Sequence, residues 1–396
     1  MLQNSDKIHF LVGNIDSLNN MPNVRVLPIF SDLIVQFFAE LSTKLLDKVK
    51  TRDFMDVISY AFWIRKGHTE KHKGFYNTGE RMGRGIALHF APSNVPVNFA
   101  VSFTSALLAG NPCIVRVSNK EFDQVNIICS AINEIINTTL PEMQNYINII
   151  RYEHDDEITK QLSAMCDIRI IWGGDRTINE IRKAPLPPRA IEMTFADRHS
   201  VAVINADEYL KRDSKQAARD FYTDTYYTDQ NACSSPRFVI WTGSNIEKAR
   251  KQFWAELEAI ITKEFDLQPL KAVDKLDSFC RLAAVKTDVK LIKNNNKLYR
   301  VVLPSLASDL MKYKDNSGYF FEYSTDNLED IVPILTKQCQ TISYLGVDSK
   351  LIRKIVEAFG PRGVDRIVPM GQTMELAFIW DGYNMIEAMS RIIYVR

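Results

Sequence analysis

"RGIALHFAPSNVPVNFAVSFTSALLAGNPCIVRVS", residues 84–118, decides the fold. "RGIALHFA" reads as a short apolar strand, and "PSNVP" breaks it. "VNFAVSFTSALLAG" has the length and small-residue content of a buried helix with a glycine stop. "PCIVRVS" is the next strand. Downstream the alternation continues. "DQVNIICSAINEIINTTL" is a helix, "YINIIRY" a strand, "DEITKQLSAMC" a helix and "IRIIWGG" a strand. "DRTINEIRKAPL" starts a further helix, the prolines at 185–188 stop it, and "VAVINA" closes the series. Strands alternating with helices in this way predict a parallel sheet with right-handed crossovers.

Upstream, "KIHFLVG" and "VRVLPIF" read as strands. "SDLIVQFFAELSTKLLDKV" reads as a helix capped by Ser31, and "DFMDVISYAFWIRKG" as another ending near Gly67. The pair His68 and His72 in "HTEKH" reads as a solvated helix end. After residue 233 the pattern restarts. "RFVIWTG" is a strand, and "SNIEKARKQFWAELEAIITKEF" is a helix with Ser244 as its cap. "KLYRVVLPSL" and "GYFFEYS" are strands, "NLEDIVPILTKQCQ" a helix, and "KNNNK" at 293–297 a loop tip. Two α/β domains in series are expected, over 1–210 and 211–370. The segment 371–396 either packs back on the body or forms an oligomer contact.

The 396 residues are 46% hydrophobic and 24% charged, enough chain for two cores. A formal charge of +1 carries no nucleic-acid footprint. The six cysteines are scattered singly with no C-x-x-C, so neither a zinc knuckle nor a disulfide scaffold is expected, and no metal. Reduced thiols fit a cytoplasmic protein. The N-terminus lacks a signal-peptide pattern, and no window of about 18 apolar residues predicts a transmembrane segment.

Four stretches carry chemistry. In "DQNACSSP", Cys233 sits between small polar residues and a β-rich run, as core filler or as a nucleophile. Asn94 stands between two prolines, and its amide N–H suits an oxyanion; the other reading is a turn-forming Asn bonded to its own backbone. Arg116 and Ser118 lie at the C-terminal end of a strand, where open α/β folds bind ligands. The guanidinium fork suits phosphate, though a surface arginine reads the same way. Gly173 and Gly174 let a backbone approach closely at a helix start, and Asp175 is an ordinary cap. There is no G-x-G-x-x-G. His89 and His199 are candidate bases whose distance from Cys233 sequence does not give.

The proline-flanked Asn, the Arg-x-Ser strand, the Gly-Gly turn and the Cys in "DQNACSSP" occur in a recognisable order. With "WGGD" and "GVDRIVPMGQTMELAFIWDGYNMIEAMSR", they resemble the aldehyde dehydrogenase superfamily. More specifically they resemble its acyl-CoA reductase branch, the family of the fatty-acid reductase subunit of bacterial luminescence. The likeness covers roughly residues 80–396. It implies two Rossmann-like three-layer α/β domains, the first binding cofactor and the second holding the nucleophile. Cys233 matches the cysteine that takes the acyl group as a thioester. Asn94 matches the oxyanion-hole asparagine, with the Cys233 backbone N–H as second donor. Arg116 falls where the superfamily has a lysine at the adenosine ribose, and Asn119 where NAD-preferring relatives carry glutamate. A cation without that carboxylate favours a 2′-phosphate, hence NADPH, with NADH as the alternative. Gly173 and Gly174 match the turn near the pyrophosphate.

One departure stands out. Relatives that hydrolyse their thioester carry a glutamate base in "ELGGK", and the comparable stretch here is "IEMTFADRHSVAVI". Counting back from the following strand puts Thr194 at that position; Glu192 is the base only after a small shift. A missing base suppresses water attack, which suits a reductase. The resemblance implies reduction of a long-chain acyl thioester, from acyl-CoA or an acyl-protein donor, to a fatty aldehyde. It implies an acyl-protein synthetase partner and a homo-oligomer. The alternatives are aldehyde oxidation, acyl-phosphate reduction, or an acyl-carrying subunit without hydride transfer.

Overall fold

Residues 84–118 form strand Ala87–Phe90, helix Asn98–Leu108 and strand Cys113–Arg116. The two strands are parallel, from Ala87 opposite Cys113 to Phe90 opposite Arg116. All four residues of the first strand are buried, as a strand covered on both faces requires. The computed structural model describes residues 4–48, 51 and 53–396. It resolves into two units, Met1–Ala196 with Leu376–Arg396, and Asp197–Glu375.

The first unit holds strands β1 (His9–Val12), β2 (Arg81–Gly83), β3 (Ala87–Phe90), β4 (Cys113–Arg116), β5 (Ile147–Arg151), β6 (Ile168–Trp172) and β7 (Ile191–Phe195). Its main sheet has the order β1-β5-β4-β3-β6-β7. Only β1 is antiparallel within it. The chain leaves β3 toward β4 on one side and returns to β6 on the other. The strand order therefore switches between β3 and β6, where doubly wound sheets open a crevice at their carboxyl ends. The loop after β3 carries Asn94, and the turn after β6 carries Gly173 and Gly174. The C-terminal segment contributes Phe378, Met385, Ile386 and Met389 to this unit's core. Asn111 anchors it by donating Nδ2–H to the Met389 carbonyl at 2.9 Å.

The second unit holds β8 (His199–Asn205), β9 (Pro236–Thr242), β10 (Lys290–Asn295), β11 (Leu298–Val302), β12 (Tyr319–Ser324), β13 (Cys339–Leu345) and β14 (Arg366–Pro369). Their order is β10-β11-β12-β9-β8-β13-β14, with β10 antiparallel. β8, read as closing the first series, is thus central in the second sheet. The boundary between units falls at Ala196, ahead of residue 210.

Several local readings change. "VRVLPIF" forms no strand, only an isolated bridge between Pro28 and Met82. Proline donates no ladder bond, and Phe30 takes a left-handed φ of 50°. The helix near Gly67 is two helices, Met55–Trp63 and Lys66–Lys73. "NLEDIVPIL" is a 3₁₀ helix, Leu328–Ile334, with Pro333 inside it. Ser31 is an N-cap without a side-chain bond, and Asn245, not Ser244, caps Ile246–Glu264. His68 and His72 are half-buried, their Nε2 atoms 3.2 Å apart and His72 edge-on to Phe378. Among the described residues no helix is long and apolar enough to cross a membrane.

Candidate active site

Burial sorts the six thiols. Cys113, Cys129, Cys166 and Cys339 are buried. Burial pushes three of them, Cys129, Cys166 and Cys339, up to about 12, so they stay protonated packing groups. Cys280 is exposed on the helix Pro269–Ala283, and Cys233 is half-buried.

Cys233 sits in the turn that precedes β9, at that strand's N-terminal end. The turn is built by two successive residues in the left-handed region, Asp229 (φ 52°) and Gln230 (φ 57°). Both lack glycine's freedom, so side-chain bonds must hold them. Gln230 is fully buried and does so. Its Oε1 accepts N–H bonds from Gly318 (2.9 Å) and Tyr319 (3.1 Å). Its Nε2 donates to the carbonyls of Pro236 (3.1 Å) and Tyr319 (3.2 Å). The Ser200 hydroxyl donates to the Cys233 carbonyl at 2.8 Å. The Ser234 hydroxyl meets Met374 Sδ at 3.2 Å. Met374 lies beside a loop that Asp224 fixes, accepting N–H bonds from Gly371 (2.7 Å) and Thr373 (3.1 Å). Sequence reasoning missed Gln230 and Asp224, because a polar residue among polar neighbours carries no periodic signal.

The first unit holds the other candidates. Asn94 is exposed in the loop between β3 and the following helix. Arg116 is half-buried at the end of β4. It lies 5.4 Å from the Tyr152 ring and donates Nη2–H to the Tyr152 carbonyl at 3.1 Å. Ser118 Oγ accepts from Lys120 N–H at 3.1 Å, leaving its own proton to donate. Asn119 is exposed. Glu121, the nearest carboxylate in sequence, pairs with Arg151 at 3.6 Å. Gly174 is the N-cap of helix Asp175–Ile181. A Cβ on Gly173 would approach Thr177 Cγ2 to 3.2 Å. Trp172, just before the glycines, stacks on Phe195 at 3.6 Å and donates its indole N–H to Ser102 at 2.9 Å.

Glu192 lies on β7, opposite Arg169 on β6. Arg169 Nη2 meets its Oε2 at 2.6 Å, and Arg182 Nε meets its Oε1 at 2.6 Å. Both carboxylate oxygens are held by guanidiniums. The two candidate histidines are neutral at pH 7. Burial pulls His89 down to about 3, and its Nδ1 bonds Ser102 Oγ at 2.7 Å. Burial pulls His199 down to about 4, and its Nε2–H donates to the Ile334 carbonyl at 3.2 Å. His89 belongs to the first unit and His199 to the second, where it neighbours Ser200.

Residues 40–392 match the acyl-CoA reductase (LuxC) family. The long-chain acyl-protein thioester reductase of Aliivibrio fischeri is 25% identical over 296 residues, 73% of this chain and 58% of that protein. The reductase of the same name from Photorhabdus luminescens is 24% identical over 297 residues, with the same coverage. The chain therefore spans less than two thirds of the length of these relatives. Among solved structures, aldehyde dehydrogenase 21 from Physcomitrella patens, in complex with the reaction product succinate, aligns with a TM-score of 0.71. It is 10% identical and covers 96% of this chain and 89% of its own. That likeness shows the fold, an aldehyde dehydrogenase-like pair of α/β units. With the match running over nearly the whole sequence, the chain belongs to the acyl-CoA reductase (LuxC) family.

Proposed function

We propose that this protein reduces an activated long-chain acyl thioester to a fatty aldehyde through a covalent thioester on Cys233. The observation that carries the reading is the presentation of one sulfur. Cys233 is half-exposed on a turn fixed by Gln230 and Ser200, four other thiols are buried, and exposed Cys280 lies on the surface helix Pro269–Ala283. In this reading the Cys233 thiolate attacks the acyl carbonyl carbon of acyl-CoA or of an acyl group on a partner protein. A new carbon–sulfur bond forms, and the donor's sulfur leaves with the bonding electrons. Asn94 has the role of oxyanion donor, together with the Cys233 backbone N–H. The Cys233 sulfur is the leaving group when the aldehyde forms, which returns the thiolate.

The residues of the first unit fit a nicotinamide dinucleotide phosphate. Arg116, Ser118 and Asn119 offer a cation and neutral donors, with Glu121 turned to Arg151. Gly173 keeps open a space that a Cβ would fill against Thr177. A bound reduced nicotinamide would supply hydride to the acyl carbon, and the missing 2′-ribose carboxylate favours NADPH over NADH. Glu192, held between Arg169 and Arg182, serves as a structural anion in this reading. Water then lacks a base for attack on the thioester. The first unit is accordingly the cofactor unit and the second the catalytic one, in a cytoplasmic homo-oligomer served by an acyl-protein synthetase.

The assay is aldehyde release from long-chain acyl-CoA with NADPH and with NADH. Wild type is expected to release aldehyde, faster with NADPH, and Cys233→Ala to release none. Aldehyde at the wild-type rate from Cys233→Ala contradicts the reading. Nicotinamide-dependent conversion of aldehyde to free acid without CoA favours an aldehyde-oxidising dehydrogenase instead.

A further inference from the structure

Arg237 is the second residue of β9, four positions past Cys233, and is 6% exposed. A buried guanidinium is costly unless other groups compensate it. Among the described residues no carboxylate lies within ion-pair distance of it. Its N–H groups go instead to two backbone carbonyls, Nη2 to Gln230 at 2.5 Å and Nη1 to Asp315. The Gln230 carbonyl belongs to the left-handed pair that starts the cysteine turn. At the other end of that turn, Ser200 holds the Cys233 carbonyl and pairs across the sheet with Pro236, next to Arg237. The turn carrying the sulfur is thus tied at both ends to the strand end that carries the cation.

Burial pulls the Arg237 guanidinium down to about 10, and the neighbouring Cys233, Asp315 and Asp229, when ionised, oppose that pull. Asp315 is otherwise engaged, accepting from the Ser278 hydroxyl (2.9 Å) and the Asn316 N–H (2.8 Å). His199, within electrostatic reach of Arg237, is neutral because it is buried, and Lys314 and Arg198 add positive charge on that side. The carboxylates of Asp229 and Asp315 dilute the positive field without closing an ion pair.

We propose that Arg237 is a positioning residue that keeps the Cys233 sulfur ionised and fixes the turn presenting it. The inference rests on Cys233 being the nucleophile. A fixed cation beside a thiol favours the thiolate, which is the attacking form. It supplies the activation that neither buried histidine offers as a cation at neutral pH. The carbonyl bonds alone could come from a neutral donor; the charge could not.

The test needs neither acyl donor nor cofactor. Iodoacetamide alkylation of Cys233 is followed by peptide mass spectrometry against pH, with exposed Cys280 of the same chain as internal reference. In wild type, Cys233 is expected to reach half-maximal rate at a lower pH than Cys280. Arg237→Gln should raise that midpoint by about one unit, slowing Cys233 alkylation near neutral pH by about tenfold, while Cys280 is unchanged. Arg237→Lys keeps the charge and should keep most of the low midpoint. An unshifted midpoint in folded Arg237→Gln overturns the proposal. Should that variant fail to fold, a wild-type midpoint at or above that of Cys280 overturns it by itself, as does a raised midpoint in folded Arg237→Lys. A low, Arg237-dependent midpoint on a cysteine that takes no acyl group leaves the inference standing and removes the reductase reading instead.

Discussion

In the proposed reading, Glu192 is the single residue that separates two chemistries. A free carboxylate there would offer a base to water; one gripped by Arg169 and Arg182 through both oxygens does not. Arg169 is almost fully buried, so removing its partner strands a charge. Glu192→Gln should cost about 3 kcal/mol in unfolding free energy and leave the lifetime of an acyl-enzyme thioester unchanged. Chemical unfolding and a thioester hydrolysis assay check both halves; a hydrolysis rate that falls with the substitution would make Glu192 the base after all. At this scale the sequence was legible where flanking residues restrict the backbone. Prolines around Asn94 and small polar residues before Cys233 mark those positions. Gln230 and Arg237 were not legible, because their significance lies in which distant carbonyls and N–H groups they meet.

Among the elements, the loop 371–374 is held to the second unit by one buried carboxylate. Asp224 sits at the end of the helix Ser214–Asp224 and accepts N–H bonds from Gly371 and Thr373. Burial outweighs those bonds and raises its pKa from 3.8 to about 6. The sign follows directly. Between these values the folded chain binds the proton that the unfolded chain has lost, so Asp224's contribution to stability falls as pH rises through about 4 to about 6. The full effect is at most about 3 kcal/mol. The unfolding free energy of wild type minus that of Asp224→Asn should therefore decline between pH 4 and pH 7. A difference independent of pH would contradict the assignment. Strands β3, β4, β5 and β6 and the helices between them were readable because each is a run of uniform apolar period. "VRVLPIF" and "NLEDIVPIL" misled because Pro28, Phe30 and Pro333 interrupt backbone pairing that the apolar pattern alone suggests.

Over the whole molecule, strand–helix alternation was enough to reach two α/β units, and the resemblance carried by the Asn94, Arg116, Gly173–Gly174 and Cys233 stretches implied the aldehyde dehydrogenase-like fold. It did not place β8, since a fully buried strand reads alike in either sheet, nor the helix Pro269–Ala283, whose exposed Leu270, Val273 and Leu276 blur its amphipathic stripe. The roles of the units depend on one covalent event. Incubating the protein with long-chain acyl-CoA, and then adding NADPH, puts that event to a mass spectrometer. The account predicts acyl mass on the peptide containing Cys233, its disappearance when NADPH is added, and aldehyde in equal amount. Acyl mass on another residue, or none on Cys233 while aldehyde is still produced, would contradict it.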